Sequence, residues 1–163
     1  MNRADILSLL EEENIPYEME EHPAVNNMEE LHGISLRYPE DDAKNLFVRD
    51  DRKRNYYLIT IRGDKKADLK KIRREENTRA LSFASDSDLQ AILELSPGSV
   101  TPLGLLNDRE HHTIFFLDED CVKAGRIGVH PNDNTATIRL KTDDLIRLLK
   151  EHGTQVNLIP ITQ

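Results

Sequence analysis

A single cysteine, Cys121, occurs in the 163 residues. One thiol excludes an internal disulfide and any zinc or iron–sulfur site built on several cysteines. Cys121 also lies among Asp118, Glu119 and Asp120, whose charge disfavours a thiolate, so an inert cysteine is expected rather than a nucleophile. No apolar run approaches the roughly 20 residues that a membrane span needs. Met1–Asp5 opens an amphipathic stretch with no apolar secretory core, which makes a cytoplasmic location the expectation. Repeats and low-complexity linkers are missing, so residues 1–163 are expected to form one domain. The sequence also lacks G-x-G-x-x-G, a Walker loop, H-E-x-x-H and G-x-S-x-G. His111 and His112 are adjacent, point in different directions and make poor joint ligands. Neither a metal nor a cofactor is expected.

What is present is a globular balance: 37% apolar and 32% charged residues, with a formal net charge of −8. A chain of this length buries roughly two-thirds of its unfolded surface and needs no covalent staples. The charge is uneven. Lys44–Arg79 holds 13 basic and 6 acidic residues, net +7, and the remainder is net −15. Such a segment is either a solvated charged face or the place where an acidic protein meets a polyanion.

Apolar spacing and punctuation outline the elements. Asn2 with Asp5 starts a helix that carries Ile6, Leu9 and Leu10 on one face and stops at Asn14-Ile15-Pro16. Tyr17–Glu21 reads as a short strand. Asn26 and Glu29 form a capping box for a short helix ending near Gly33, and Ser35–Asp42 is a polar connection. Ala43–Arg49 and Asn55–Ile61 flank the charged turn 50–54 as a hairpin. By period two, Lys44, Leu46 and Val48 share one face of the first strand, and Asn45, Phe47 and Arg49 the other. A charged helix is expected over Asp64–Glu76, with Leu69 and Ile72 facing in. Leu81–Ala84 is a strand, and Ser85 with Asp88 caps a helix to Leu93. Thr113–Leu117 is a buried strand, and Arg126–His130 and Thr135–Leu140 form a second hairpin. Thr142 is expected to cap a last helix ended by Gly153, before a closing strand over Gln155–Ile159. Hairpins interleaved with helices predict an α+β (mixed α/β) fold with a mixed or antiparallel sheet.

Three local features stand out. Lys44 shares a face with Leu46 and Val48. It is either an edge lysine with its head in water or a cation at the mouth of a pocket. Gly98-Ser99-Val100-Thr101-Pro102 combines close backbone approach, two hydroxyls and a fixed exit, yet an ordinary loop has the same composition. His130-Pro131-Asn132, followed by Asn134 and Thr135, serves equally as hairpin-turn chemistry.

Taken in order, these features resemble a known family. Glu21-His22-Pro23-Ala24-Val25, Lys44-Asn45-Leu46-Phe47, Tyr56-Tyr57-Leu58, Leu81-Ser82-Phe83-Ala84, Gly98–Leu105 and His130-Pro131-Asn132 with Asn134–Thr137 are similar to the YbaK/ProX family. Its members are stand-alone aminoacyl-tRNA editing deacylases related to the editing insertion of prolyl-tRNA synthetases. The similarity spans Ile6 to Leu158 and is greatest to the ProX-type (PrdX, ProXp-ala) branch. It implies a mixed, barrel-like sheet surrounded by helices, and metal-free hydrolysis of the ester between a wrong amino acid and the terminal ribose of tRNA.

Several residue roles follow from the resemblance. Lys44, Gly98 and Ser99 are the implied catalytic group. Asn45, Thr101, Pro102, His130 and Asn132 would bind substrate, and Met28, Leu31 and Val100 would wall a small amino-acid pocket. Arg49 and Arg79 would contact tRNA. An aminoacyl ester is already activated, so a positioned water helped by the neighbouring ribose hydroxyl suffices, with Lys44 and loop N–H groups stabilising the developing charge. A smaller second pocket rejects proline by size and hydrolyses alanine, which a proline-sized pocket cannot strongly exclude. The expected substrate is Ala-tRNA(Pro), engaged at its acceptor end either directly or with a prolyl-tRNA synthetase as partner. The residues leave other readings open. One is the same chemistry on Cys- or Ser-tRNA. Another is a non-catalytic module that binds a tRNA end or an amino acid, and a third is a plain interaction domain.

Overall fold

A computed structural model describes residues 1–24, 41–63 and 65–162. Met28 and Leu31, the expected capping box at Asn26–Glu29, the helix end at Gly33 and the connection up to residue 40 lie outside them. The first helix, α1 (Arg3–Glu12), opens on a reciprocal box. The Asn2 side chain accepts from the Asp5 N–H, the Asp5 carboxylate accepts from the Asn2 N–H, both at 2.9 Å, and the helix buries Ile6 and Leu10.

The strands are β1 (Tyr17–Glu21), β2 (Ala43–Asp50), β3 (Tyr56–Arg62), β4 (Leu81–Phe83), β5 (Thr113–Asp118), β6 (Arg126–Val129), β7 (Ala136–Lys141) and β8 (Val156–Ile159). They form two sheets. A five-stranded mixed sheet has the order β4-β2-β3-β5-β8, and a three-stranded antiparallel sheet has the order β1-β7-β6. The hairpin β2–β3 is antiparallel from Ala43↔Arg62 to Arg49↔Tyr56, while β3–β5 and β5–β8 are parallel. The expected barrel-like sheet is thus divided, and an isolated parallel bridge between Asp42 and Gly128 joins its two parts.

The inward faces of both sheets build one core. Phe47, Leu58, Phe115 and Leu117 come from the larger sheet and Ile127, Ile138 and Leu140 from the smaller. Ile6 and Leu10 of α1 join them, with Leu89 and Leu93 of α3 (Asp86–Leu93) and Leu145, Leu148 and Leu149 of α5 (Thr142–His152). A second cluster covers the other face of the larger sheet: Val48, Tyr57, Ile59, Ile61 and Phe116 pack with Ile72 of α2 (Leu69–Glu76) and with Ile159 and Ile161. Burying a side chain of this size contributes about 1.5–3 kcal/mol, so the two layers hold β2 and β3 from both sides. Among the described residues no helix is long and apolar enough to cross a membrane.

Two boundaries differ from expectation for identifiable reasons. The charged helix begins at Leu69 rather than residue 64, because the Asp68 side chain accepts from the Lys71 N–H at 3.1 Å and caps it there. Thr142 is the first helical residue of α5, not its side-chain cap. Its buried hydroxyl donates to the Cys121 carbonyl at 2.7 Å in α4 (Glu119–Ala124). The hydroxyl is itself wholly buried and finds its acceptor there, which outweighs capping, since an unmet buried donor is costly. Ser85 caps α3 through the Asp88 N–H at 3.0 Å, and Gly153 ends α5 at φ 103°.

Candidate functional site

The Asp42–Gly128 bridge positions the site. Residues paired across strands share a face, as do residues two apart along a strand. Gly128 pairs with Arg139, and Thr137 pairs with Glu20. Asp42, Gly128, Arg139, Thr137 and Glu20 therefore lie on one face of the smaller sheet, opposite its apolar side. The bridge is parallel, so β2 and β6 run the same way from it. Lys44 and His130 each follow the bridge by two residues, Lys44 within β2 and His130 just past the end of β6.

Side-chain contacts agree with this register. The Arg139 guanidinium, wholly buried, reaches Asp42 at 3.3 Å and Glu20 at 3.2 Å. A Cβ on residue 128 would lie 2.4 Å from the Asp42 carboxylate, so glycine there lets the two segments approach. Among the described residues, Lys44 has no carboxylate in ion-pair range and no hydrogen-bond partner.

The Gly98–Pro102 loop meets His130 directly. It consists of a 3-10 turn (Pro97–Ser99), Val100 and Thr101, and then a second 3-10 run (Pro102–Asn107). The Thr101 hydroxyl donates to the His130 carbonyl at 2.6 Å. The Ser99 N–H donates to the Ser96 carbonyl at 3.0 Å, and the buried Ser99 hydroxyl accepts from Ser96 at 3.2 Å. Pro102 has no N–H, so Gly98, Val100 and Thr101 supply the loop's remaining backbone donors. Val100 packs on the main core, which fixes the loop's backbone against the sheets.

His130 is held as a neutral ring. Its Nδ1 lies 2.8 Å from the Ala136 carbonyl, which can only accept, so Nδ1 carries the hydrogen and Nε2 its lone pair. Burial pushes its pKa below the ordinary histidine value and the nearby His22 adds to this, against the Ala136 hydrogen bond. The two rings meet edge-on with centroids 6.0 Å apart. His22 is held at both ring nitrogens: Nδ1 donates to the Pro23 carbonyl and Nε2 meets the Thr137 hydroxyl, both at 2.9 Å.

Other residues singled out in the sequence have separate engagements. Asn45 and Lys44 point to opposite faces, since β2 pairs with β3 without irregularity. The Asn45 side chain accepts from the Thr60 hydroxyl at 2.6 Å on the inward face. Asn132, at φ 60°, donates to the Met1 carbonyl at 2.9 Å. Arg49 is tied to Asp88. Arg79 grips both oxygens of Asp51, at 2.6 and 3.0 Å. Cys121 is buried, and desolvation, with Asp118 beside it, pushes its thiol up to about 12. That is the inert cysteine expected from its acidic neighbours.

Two residues escaped the sequence reading as parts of the site. His22 stands in the quoted Glu21-His22-Pro23 run, and its partnership with His130 needs the pairing of β1 with β7. Arg139 reads as one cation in an alternating strand, and its burial becomes visible only when Asp42 is bridged to Gly128.

This constellation coincides with strong external likeness. A family model described as the aminoacyl-tRNA editing domain matches residues 22–148. The prolyl-tRNA editing protein ProX of Acetoanaerobium sticklandii is 36% identical over 156 residues, covering 96% of this chain and 95% of the relative. A prolyl-tRNA synthetase associated domain-containing protein 1 of Mus musculus is 30% identical, covering 93% of this chain and 91% of the relative. A crystal structure described as that of a candidate trans-editing enzyme for prolyl-tRNA synthetase superposes with a TM-score of 0.67 at 20% identity, over 99% of both chains. That last likeness speaks for the fold. The chain belongs to the aminoacyl-tRNA editing domain family, and its class of activity is aminoacyl-tRNA deacylation.

Proposed function

We propose that this chain is a trans-acting editing enzyme that hydrolyses Ala-tRNA(Pro). The observation that carries the reading is the bond from Thr101 to His130, which joins the Gly98–Pro102 loop to the end of β6. The Asp42–Gly128 bridge brings β2 beside β6 two residues before Lys44 and His130, the residues proposed to face the substrate. The 36% identity to a prolyl-tRNA editing protein supports the choice of tRNA.

The chemistry needs no strong nucleophile. Water attacks the ester carbonyl, the carbonyl oxygen takes up negative charge, and the ribose oxygen leaves with a proton. Lys44 and the N–H groups of Gly98, Val100 and Thr101 are the donors proposed for that oxygen. The buried Ser99 keeps the loop in shape through Ser96. The lone pair on His130 Nε2 accepts from the attacking water or from the ribose hydroxyl beside it. Pro102 fixes the exit of the loop, and Val100 is proposed for the wall of an alanine-sized pocket. Asn45, bonded to Thr60 on the opposite face, and Asn132, bonded to the Met1 carbonyl, are proposed as supports of the backbone around the site, while Arg49 and Arg79 are proposed to meet tRNA by exchanging Asp88 and Asp51 for phosphates.

The test is ester loss over time from tRNA(Pro) charged separately with alanine, cysteine, serine and proline. Fast loss of alanine alone is expected. Lys44→Ala should slow it about a hundred- to a thousandfold, the usual cost of one donor to the developing oxyanion. Loss of cysteine or serine instead would move the substrate. Stoichiometric binding without turnover would make the chain a binding module.

A further inference from the structure

Phe83 has no role in the chemistry above, yet it is the most exposed large apolar side chain among the described residues, at 63%. It ends β4, a three-residue strand at the edge of the larger sheet. Phe83 pairs with Val48, so it shares a face with Val48, Leu46 and Lys44. At about 3.3 Å per residue along β2 and about 4.8 Å between strands, it stands about 14 Å from Lys44 on that face. A stacked strand rises about 3.4 Å per nucleotide. The separation therefore corresponds to about four stacked nucleotides.

The turn beyond the Leu81 end of β4 is cationic, while Asp86 and Asp88 open α3 on the other side of Phe83. β4 begins beside the β2–β3 turn, where Leu81 pairs with Asp50, and runs away from it to Phe83. Arg52, Lys53 and Arg54 are exposed at this tip, and Arg79 lies across it on Asp51. The tip is ordered, because the buried Asp50 carboxylate accepts from the N–H groups of Arg52 at 3.1 Å and Arg54 at 3.0 Å, and from the Asn55 amide at 2.8 Å. An exposed aromatic ring beside fixed cations is the arrangement that holds single-stranded nucleic acid: charges track the backbone and the ring stacks on a base. A protein partner would instead be expected to find an apolar patch. Among the described residues, Val48 is buried and Leu46 and Leu81 are partly buried, so Phe83 is the exposed apolar side chain of this edge.

We infer that Phe83 is a stacking platform for an unpaired base near the 3′ end of the substrate tRNA, with the turn 52–54 holding the adjoining phosphates. The inference rests on the tRNA-end reading of the site but not on which amino acid is removed.

The sequence contains no tryptophan, so Phe83→Trp introduces a unique fluorophore at the platform. The probe is an uncharged RNA hairpin carrying a four-nucleotide single-stranded 3′ end, compared with the same hairpin made blunt. The tailed hairpin should quench Phe83→Trp emission and the blunt one should not. Phe83→Ala should weaken binding of the tailed hairpin about ten- to a hundredfold, the usual cost of one stacked base, and Phe83→Tyr should restore it. Equal quenching by both hairpins, or Phe83→Leu binding as tightly as the native chain, would overturn the platform. So would unchanged RNA binding with loss of a synthetase complex. Because the readout is binding of uncharged RNA, failure to deacylate alanine would count against the proposed substrate and leave the stacking result standing.

Discussion

Thr101 donates its hydroxyl hydrogen to the backbone carbonyl of His130 across 2.6 Å, linking the loop after α3 to the end of β6. The same oxygen accepts from the Leu103 N–H at 3.4 Å. The side chain is wholly buried, so no water replaces it when it is removed. Thr101→Val keeps the shape and deletes both bonds. The half-buried His130 carbonyl loses its donor, a change worth about 1 kcal/mol, which urea unfolding will register as a lowered midpoint. Deacylation should fall further than stability does, because the loop donors lose their register against His130. Equal activity at saturating substrate would show that the hydroxyl serves the fold alone.

The strands of the larger sheet were legible because alternation and β-branched residues state them directly: Lys44, Leu46 and Val48 do occupy one face and Asn45, Phe47 and Arg49 the other. That alternation already held the answer to whether Lys44 and Asn45 could line one site, and the regular β2–β3 register sends them apart. The Gly98–Pro102 loop was visible by composition, but its partner was not, since a hydroxyl-to-carbonyl bond across 29 residues leaves no local mark. The division into two sheets was likewise hidden, because one bridge at Asp42–Gly128 decides it. Charge counting located the basic segment but not its pairing. Arg49, Arg62, Lys65 and Arg79 each have a carboxylate partner, whereas the turn at 52–54 and the exposed Lys70, Arg73 and Arg74 of α2 have none among the described residues.

His130 should set the acid side of the pH profile. Burial lowers its pKa beneath the ordinary value of about 6.5. Between that value and the folded pKa, the unfolded chain binds a proton that the folded chain does not. Falling pH therefore removes stability through this window, and the loss is complete below the folded pKa. The ring serves as an acceptor only when neutral, so kcat/KM should stay level down to pH 6.5 and fall below it. His130→Asn should lose this limb of the profile along with most of the rate. A midpoint above 6.5 would assign the limb to another group.

Arg139 lies beneath the site with no exposed side-chain surface, between Asp42 and Glu20. Removing one member of a buried ion pair leaves the other charge uncompensated, at a cost of about 3–5 kcal/mol. Arg139→Leu should show a loss of that order in urea unfolding. It should also lower deacylation, because Asp42 directly precedes β2 and its bridge to Gly128 holds the Lys44 end of β2 beside β6. Asp42→Asn keeps a hydrogen-bonding group against Gly128 and should cost less. If Arg139→Leu unfolds at the native midpoint, the network does not hold the bridge.

Electrostatic contact with tRNA should reside in the turn rather than in the paired arginines. Arg52, Lys53 and Arg54 are exposed, and among the described residues none has a carboxylate in ion-pair range. Each phosphate neutralised by a cation contributes about 0.7 to 0.9 to the slope of log K against log salt. Replacing all three with glutamine should therefore flatten that slope by about two to three. Arg79→Gln should flatten it by less than one, since binding phosphate there requires giving up Asp51. The measurement is a salt titration of tRNA binding at fixed pH for the native chain and both variants. A slope that changes more for Arg79→Gln than for the triple variant would mean that the Asp51 pair opens on binding, and that the contact runs along the start of β4 rather than over the turn.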